Sequence, residues 1–384
     1  MKICDITKFY TETSGGVKTY LRHKAHYLTK RPGWEHLLIV PGPANALCDT
    51  GAGRIYTVKG PLIPGHYPYR FLLNHRRVRE ILAAEAPDLI EMGSPYFVPW
   101  VLAASLPRPR PCLTGFYHAD FPSTYIRGYG QHLGAWAAAQ AEAAAWRYAR
   151  AVYRRCDLVI ASSQLMADKL LQHRIGAVRQ VPLGVYPSIF RPDRRSPALR
   201  AQLGASDRQR LILYAGRLSY EKGIASLLQG LHLLPPDRYR IVVAGDGPER
   251  PALEAFAAAH PNVVYLGYCA DVDRLAELYA SCDLFIAPGR HETFGLAVLE
   301  AFASGLPAVG MRGGAVAELI EPGTGALAKP DDPADLAAQI LELCAGDLPA
   351  MGRRARALVE ARYSWEKTFA TIAAIYRELA QKHR

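Results

Sequence analysis

The sequence predicts an α/β protein built from two doubly wound parallel-sheet domains, and three observations predict it. Short apolar runs bounded by turn residues recur through both halves of the chain. Stretches of helical spacing separate them, and strand–helix alternation builds parallel sheets with right-handed crossovers. The length, 384 residues, is enough for two domains of ordinary size.

Taken in order, the runs at 3–6, 36–40, 88–92, 111–116 and 157–162 read as buried strands of the first half. Between them, 14–30 opens as a helix after two glycines, and 70–86 reads as a second. A long Ala-rich helix is predicted from Gly130 to Arg155. It bears Trp136, Trp146, Tyr148 and Tyr153, with Arg147, Arg150, Arg154 and Arg155 late in it. The second half repeats the pattern, with strands near 211–215, 240–244, 262–266, 283–287 and 307–310. The segment 180–197, rich in Pro, Gly and charge, marks the boundary. A last helix from Ser364 to about His383 carries Trp365, Phe369, Ile372, Ile375, Tyr376 and Leu379 on one apolar face. The predicted domains are therefore 1–183 and 184–363, with a terminal helix over 364–384.

Composition narrows the function classes. Half of the residues are hydrophobic and 21% are charged, which is globular rather than disordered. No run approaches the 18 or so apolar residues of a membrane span, and the opening MKICDITKFY reads as a strand rather than a signal peptide. The seven cysteines are scattered without a C-x-x-C pair, which predicts reduced thiols in a cytoplasmic protein and speaks against a zinc site. The net charge of +11 is uneven: residues 1–190 hold 23 Lys and Arg against 12 Asp and Glu, and the remainder balances. Such asymmetry points to an acidic partner: nucleic acid, anionic lipid or a phosphorylated substrate. No nucleic-acid-reading motif accompanies it.

The chemistry concentrates in two places. In HETFGLAVLEAFASGLPAVG, Glu292 falls in a loop, and Glu300 lies one to two turns into a helix predicted over Leu296–Ala303. Two carboxylates on one loop–helix unit suit separate hydroxyl clusters of one extended ligand better than the facing pair of a glycosidase. The plainer alternative is a helix cap and a solvated charge. In LILYAGRLSYEKGI, a strand leads into Gly216, Arg217 and Lys222 before Gly223, delivering two cations to the carboxyl edge of a sheet. A planar fork and a point charge suit a diphosphate, and flanking glycines let backbone approach it. Otherwise the two cations solvate a loop. The strand–turn RIVVAGDGPER has the same form without a cation at its tip and reads as fold punctuation.

Together, GRLSYEKG, VAGDGPE and ETFGLAVLEAFASGLPAV resemble the retaining, nucleotide-sugar-dependent glycosyltransferases of family four, whose fold is GT-B. The E-x7-E spacing matches Glu292 and Glu300. The similarity runs over almost the whole chain and is strongest from 211 to 330. It implies two Rossmann-like domains facing a central cleft: 1–183 for the acceptor, 184–363 for the nucleotide sugar, and a terminal helix crossing back onto the first. It assigns Arg217 and Lys222 to the diphosphate, helped by backbone N–H groups at Gly15 and Gly16 and at the helix start after Phe294. Glu292 and the Phe294, Gly295 and Leu296 backbone would hold the transferred sugar, Glu300 the ribose hydroxyls, and His118 the donor sugar near the reacting carbon. Asp120 is either an acceptor ligand, a proton acceptor, or an N-cap of the turn that follows. Side-chain cations take the place of a metal, so no metal or cofactor is expected beyond the donor, a GDP- or UDP-sugar. The departing phosphate oxygen would itself take the acceptor proton.

The runs 61–71 and HADFPSTYIRGYG look like the subset moving mannose, glucose or sulfoquinovose onto lipids. Arg70, Arg76, Arg77 and Arg79 would form a basic face on a helix over 70–84, meeting phospholipid headgroups or an acceptor phosphate, or simply solvent. The aromatic and Arg residues of 130–155 would support peripheral membrane docking or serve the core. Two departures stand out. Gly184-Val185 is followed by Tyr186 rather than Asp, and Glu91 replaces a His in PDLIE, altering an acceptor-side or a structural contact. The expected function is hexosyl transfer to a lipid or lipid-linked glycan in the cytoplasm, or peripherally on the cytoplasmic face of a membrane. The alternatives are a soluble sugar or sugar-phosphate acceptor, or an inactive nucleotide-sugar-binding module.

Overall fold

The computed structural model describes the chain except residues 12–14, 66, 131, 133, 207 and 384 and the side chain of Tyr129. Ser14, at the head of the first predicted helix, and His66, in the run 61–71, thus lie outside the described residues. The chain divides into two compact units, Met1–Pro182 with Thr368–Arg384, and Leu183–Lys367.

In the first unit the strands are β1 (Lys2–Ile6), β2 (Glu35–Gly42), β3 (Ala46–Asp49), β4 (Arg54–Lys59), β5 (Leu89–Met92), β6 (Cys112–Tyr117), β7 (Leu158–Ala161) and β8 (Val178–Gln180). They form one sheet in the order β3-β4-β2-β1-β5-β6-β7-β8, parallel except for β3, which pairs antiparallel with β4. The strands of the second unit are β9 (Arg210–Ala215), β10 (Tyr239–Ala244), β11 (Val263–Gly267), β12 (Leu284–Ala287), β13 (Ala308–Met311) and β14 (Gly325–Ala328). Their order is β11-β10-β9-β12-β13-β14, parallel throughout. Both units are doubly wound. Strand order reverses between β1 and β5 in one, and between β9 and β12 in the other. In such sheets ligands bind outside the carboxyl ends of the strands at this switch point.

The central strands are buried on both faces, which is why they read as unbroken apolar runs: β5, β6, β7 and β13 are buried at every residue. Strands β3, β4, β8 and β14 do not announce themselves in this way. β3 is exposed along its length, β4 is mostly half-buried, β8 is a three-residue edge, and β14 is the short run GALA.

Two helices begin later than their periodicity predicts. The long one runs over Ala135–Tyr153, because Gly134 sits at φ +94 and a separate turn, Arg127–Gly130, precedes it. The other runs over His75–Glu85, capped by Asn74, whose side chain accepts the Arg77 N–H at 3.1 Å. Arg70 therefore lies before that helix and is not part of its face.

A fully buried ionic cluster ties the first unit together. Lys24, on the helix Gly16–Thr29, donates to Asp5 of β1 at 2.7 Å and to Glu91 of β5 at 2.8 Å. His36 Nε2 lies 2.6 Å from the other Asp5 oxygen. Tyr20 and Tyr376 donate to Glu91 at 2.9 and 2.5 Å. Burial alone would lower the Lys24 ammonium, but Asp5 and Glu91 outweigh it and hold its pKa above the ordinary value. Burial would likewise raise Asp5, yet Lys24 and His36 keep it well below the usual carboxylate range. Burial, with the Asp5 charge nearby, lifts Glu91 despite Lys24. Glu91 is thus a core residue, the structural one of its two expected roles. Tyr376 comes from the last helix, Trp365–His383, where Phe369 also packs on Tyr20 and Tyr27 at ring separations of 5.7 and 5.6 Å.

Candidate functional site

In the second unit, β9 leads through Gly216, Arg217 and Leu218 into a one-turn helix, Tyr220–Lys222, closed by Gly223 at φ +71. A Cβ on Gly223 would stand 2.6 Å from the Pro288 carbonyl oxygen, so only glycine lets this turn lie against the chain leaving β12. That chain continues to Glu292. The outcome is an ion pair across the switch point, with Lys222 Nζ donating to Glu292 Oε1 and both side chains about a quarter exposed, 28% and 24%. Sequence reasoning assigned both residues to a ligand but did not foresee that they meet.

Arg217 is exposed, and its guanidinium has no side-chain partner among the described residues. Its backbone is fixed, since the carbonyl accepts from Tyr214 Oη at 2.7 Å. From behind, the turn 245–247 buttresses it. Leu218 N–H donates to the Asp246 carbonyl, and Cβ atoms on Gly245 and Gly247 would lie 1.8 and 2.3 Å from the carbonyl oxygens of Gly216 and Leu218. The GDG turn is therefore a support for the cationic loop, a role beyond punctuation.

Phe294 is buried, and Gly295, at φ +110, precedes the helix Leu296–Ala303, where a Cβ would meet Val316 at 2.9 Å. The first amides of a helix lack intrahelical acceptors, so this turn offers N–H donors next to the Lys222–Glu292 pair in sequence and on the same strand edge. Glu300 is the fifth residue of that helix. Its carboxylate accepts from Tyr279 Oη at 3.0 Å, and burial pushes its pKa up to about 7 against that hydrogen bond. Tyr279 and Tyr214 are site residues that the sequence hides: each sits in an apolar run where a buried tyrosine looks like core.

In the first unit, Gly15 and Gly16 are exposed at the start of the helix Gly16–Thr29, and among the described residues no atom beyond the chain neighbours lies within 4 Å of where a Gly15 Cβ would stand. His118 follows β6 and lies flat on Phe116, ring centres 4.1 Å apart, with Tyr20 at 5.2 Å. Burial, reinforced by Lys24, holds its pKa down to about 3, so the imidazole is neutral. Asp120 is buried and occupied: Lys169 pairs with one oxygen at 2.5 Å, and the other accepts from Tyr117 Oη at 3.0 Å and the Ser123 N–H at 3.4 Å. Of its expected roles, the geometry favours holding the turn. Arg70 donates to the Gly60 carbonyl at 2.8 Å. The expected basic face is further dispersed: Arg77 pairs with Glu80 at 2.8 Å and Arg79 donates to the Ala104 carbonyl, leaving Arg76 exposed.

Lys8 was missed. It follows β1 at the switch point of this sheet, half-buried, its ammonium 4.0 Å from the Tyr96 ring centre, and burial lowers its pKa to about 8. In the long helix, Trp146 and Tyr153 are buried and Tyr148 donates to the Pro95 carbonyl at 2.7 Å, so the core claims them, while Trp136 is 77% exposed. Among the described residues, one trio of potential metal ligands, Cys112, Asp157 and His383, lies close together. Asp157 is already bonded to Arg110, the Leu113 N–H and His383, and burial pushes the Cys112 thiol up to about 11. None of the described helices is long and apolar enough to cross a membrane.

Comparison with known proteins agrees with this architecture. The model described as Glycosyltransferase Family 4 matches residues 14–188, and that described as Glycosyl transferases group 1 matches 209–346. A GDP-mannose-dependent alpha-(1-6)-phosphatidylinositol dimannoside mannosyltransferase of Mycobacterium tuberculosis is 31% identical over 100% of this chain and 98% of its own. A GDP-mannose-dependent alpha-mannosyltransferase of Corynebacterium glutamicum is 30% identical over 85% of this chain and 76% of its own. Among solved structures, sucrose-phosphate synthase from Thermosynechococcus elongatus superposes with a TM-score of 0.80 at 20% identity, each chain covered to 99%. Anabaena HepE in complex with UDP and glucose gives 0.75 at 22% identity, covering 98% of this chain and 99% of that one.

Proposed function

The chain belongs to glycosyltransferase family 4, and on that premise we propose that it transfers a hexose of mannose or glucose type, with retention and without a metal ion, from a GDP- or UDP-sugar to a lipid or lipid-linked glycan. The observation that carries this reading is the Lys222–Glu292 pair at the β9/β12 switch point, with the exposed Arg217 fork beside it in the chain. Cations flanked by glycine turns suit a diphosphate leaving group. A carboxylate tied to one of those cations suits the hydroxyls of the sugar attached to it. The two mannosyltransferase relatives named above favour a GDP-mannose donor.

In the proposed step the bond from the anomeric carbon to the β-phosphate oxygen breaks as the acceptor oxygen bonds on the same face. The acceptor proton passes to the departing phosphate oxygen, giving the glycoside and the nucleoside diphosphate. Arg217 and Lys222 stabilise charge on that oxygen, and helix-start N–H groups at Gly295 and Leu296 assist. His118, neutral at physiological pH, serves as a hydrogen-bonding partner and not as a proton donor. Glu300, with its carboxyl near neutrality, accepts from ribose hydroxyls when ionised.

A thermal-shift panel of UDP, GDP, ADP and their sugars, with and without EDTA, tests the donor half. A ligand that binds the native state raises the melting temperature by mass action. One base raising it, with EDTA indifferent, is the expected result; an EDTA-sensitive shift overturns metal independence. Turnover with vesicle-borne lipid against soluble sugar acceptors then tests the acceptor half.

A further inference from the structure

We propose that the first unit carries a separate binding site for an anionic single-chain amphiphile beneath its helix Val98–Ser105, with a cationic rim where two strands of the sheet begin. A cavity of about 320 Å³ opens between the helix Val98–Ser105, the sheet and the end of the helix Ala135–Tyr153. That volume is at the lower end of the range of small-molecule pockets. Leu102, Leu106, Leu113 and Val152 give it an apolar lining, and the charged residues that line it are Arg110 and Arg155.

The position follows from the topology. Arg110 precedes β6 and Arg155 precedes β7, so both stand where these strands begin. Asp157 neutralises Arg110 at 2.6 Å, but Arg155 has no acidic partner among the described residues. Its guanidinium instead lies 5.1 Å from the ring centre of Trp100, itself 50% exposed. Arg108 and Arg154 are exposed in the same two chain segments. An apolar slot with a cationic rim, one of whose arginines lies against an amphipathic indole, matches a hydrocarbon chain ending in a phosphate or carboxylate. Charge complementarity selects this occupant over a neutral lipid or a peptide helix, which would leave the arginines unanswered. The inference rests on this cavity alone and not on the transfer reaction.

Isothermal titration of the full-length protein with myristoyl lysophosphatidate, kept below its micelle concentration, tests it. One equivalent should bind, with neutral lysophosphatidylcholine weaker by roughly tenfold or more, the value of one charge-assisted contact. Ala103→Trp, an exposed lining position, should abolish binding, and Arg155→Glu should weaken it by a similar factor, with melting temperatures near that of the wild type. Trp fluorescence should respond in the wild type and not in Trp100→Phe. Equal binding of both lipids, or unchanged binding by Ala103→Trp and Arg155→Glu, overturns the proposal. None of these readouts involves a nucleotide or turnover, so their failure would leave the transferase reading untouched.

Discussion

Lys222 and Glu292 meet as an ion pair although 70 residues separate them, one following β9 and the other β12. Parallel pairing of these two strands, with Ile212 opposite Leu284 and Leu213 opposite Phe285, sets their exits side by side. Gly223 and Gly289 then leave out the Cβ atoms that would crowd the two turns, at 2.6 Å from the Pro288 carbonyl oxygen and 3.0 Å from that of Glu221. The pair is thus a product of topology and of two glycines.

From this pairing, Lys222→Ala and Glu292→Ala should each lower kcat for transfer by about a hundredfold to a thousandfold, the scale of a lost transition-state contact. Stability should hardly change, because a partly exposed pair contributes on the order of 0–1 kcal/mol. Steady-state kinetics beside a melting curve checks both halves. Full activity in either variant would remove the pair from the donor site.

The glycines make a sharper contrast. Gly245→Ala places a methyl group 1.8 Å from the Gly216 carbonyl at a φ of +150, so it should cost about 2 kcal/mol or more and weaken nucleotide binding through Arg217. Gly176→Ala, exposed in a loop with no described atom within 4 Å of the added methyl group and no positive φ, should leave the melting temperature within error. A Gly245→Ala protein as stable as the wild type would show that the GDG turn does not support the loop.

Glu300 predicts a pH signature. Its folded pKa, about 7, stands above the ordinary value of 4.5, so the native state holds a proton that the unfolded chain has lost. Its contribution to stability is therefore full below about 4.5 and is lost as pH rises through 7. His118, lowered to about 3, works in the opposite sense, destabilising as pH falls below 6.5. The readout is accordingly the difference between wild type and Glu300→Gln: melting temperatures should converge toward acid and separate in the variant's favour between pH 5 and 7.5. A pH-independent difference would place the carboxyl in water.

In the buried cluster, Lys24→Met should destabilise the first unit by roughly 3–5 kcal/mol, since it leaves Asp5 and Glu91 without their shared cation. Tyr376→Phe, which removes one of three donors to Glu91, should cost only about 1–2 kcal/mol. Chemical denaturation followed by a first-unit probe such as Trp34 or Trp146 measures both. Equal losses would mean that the lysine charge is not what the cluster needs.

Much of this was legible in sequence because burial writes itself as apolar runs: the inner strands, the helix Leu296–Ala303, and the cations after β9 all stood out. The edge strand β3 and its neighbour β4 did not, because an exposed or half-buried strand needs no continuous hydrophobicity. Gly134 hid the true start of the long helix, since a glycine in an Ala-rich run is read as a tolerated guest rather than a break. Contacts made by pairing distant segments, such as Tyr279 with Glu300 or Lys169 with Asp120, leave no periodic trace. The Glu91 substitution was visible as a departure, but only the fold shows that three donors surround it.

Because Phe369 and Tyr376 complete the core around Tyr20 and Glu91, the first 182 residues cannot finish folding when they leave the ribosome. Their Lys24–Glu91 cluster waits, one hydroxyl short, while all of Leu183–Lys367 is synthesised. At typical rates of 5–20 residues per second that interval lasts on the order of ten to forty seconds. The nascent chain carries an open apolar seam for that time, which makes it a client for chaperones until the last helix emerges.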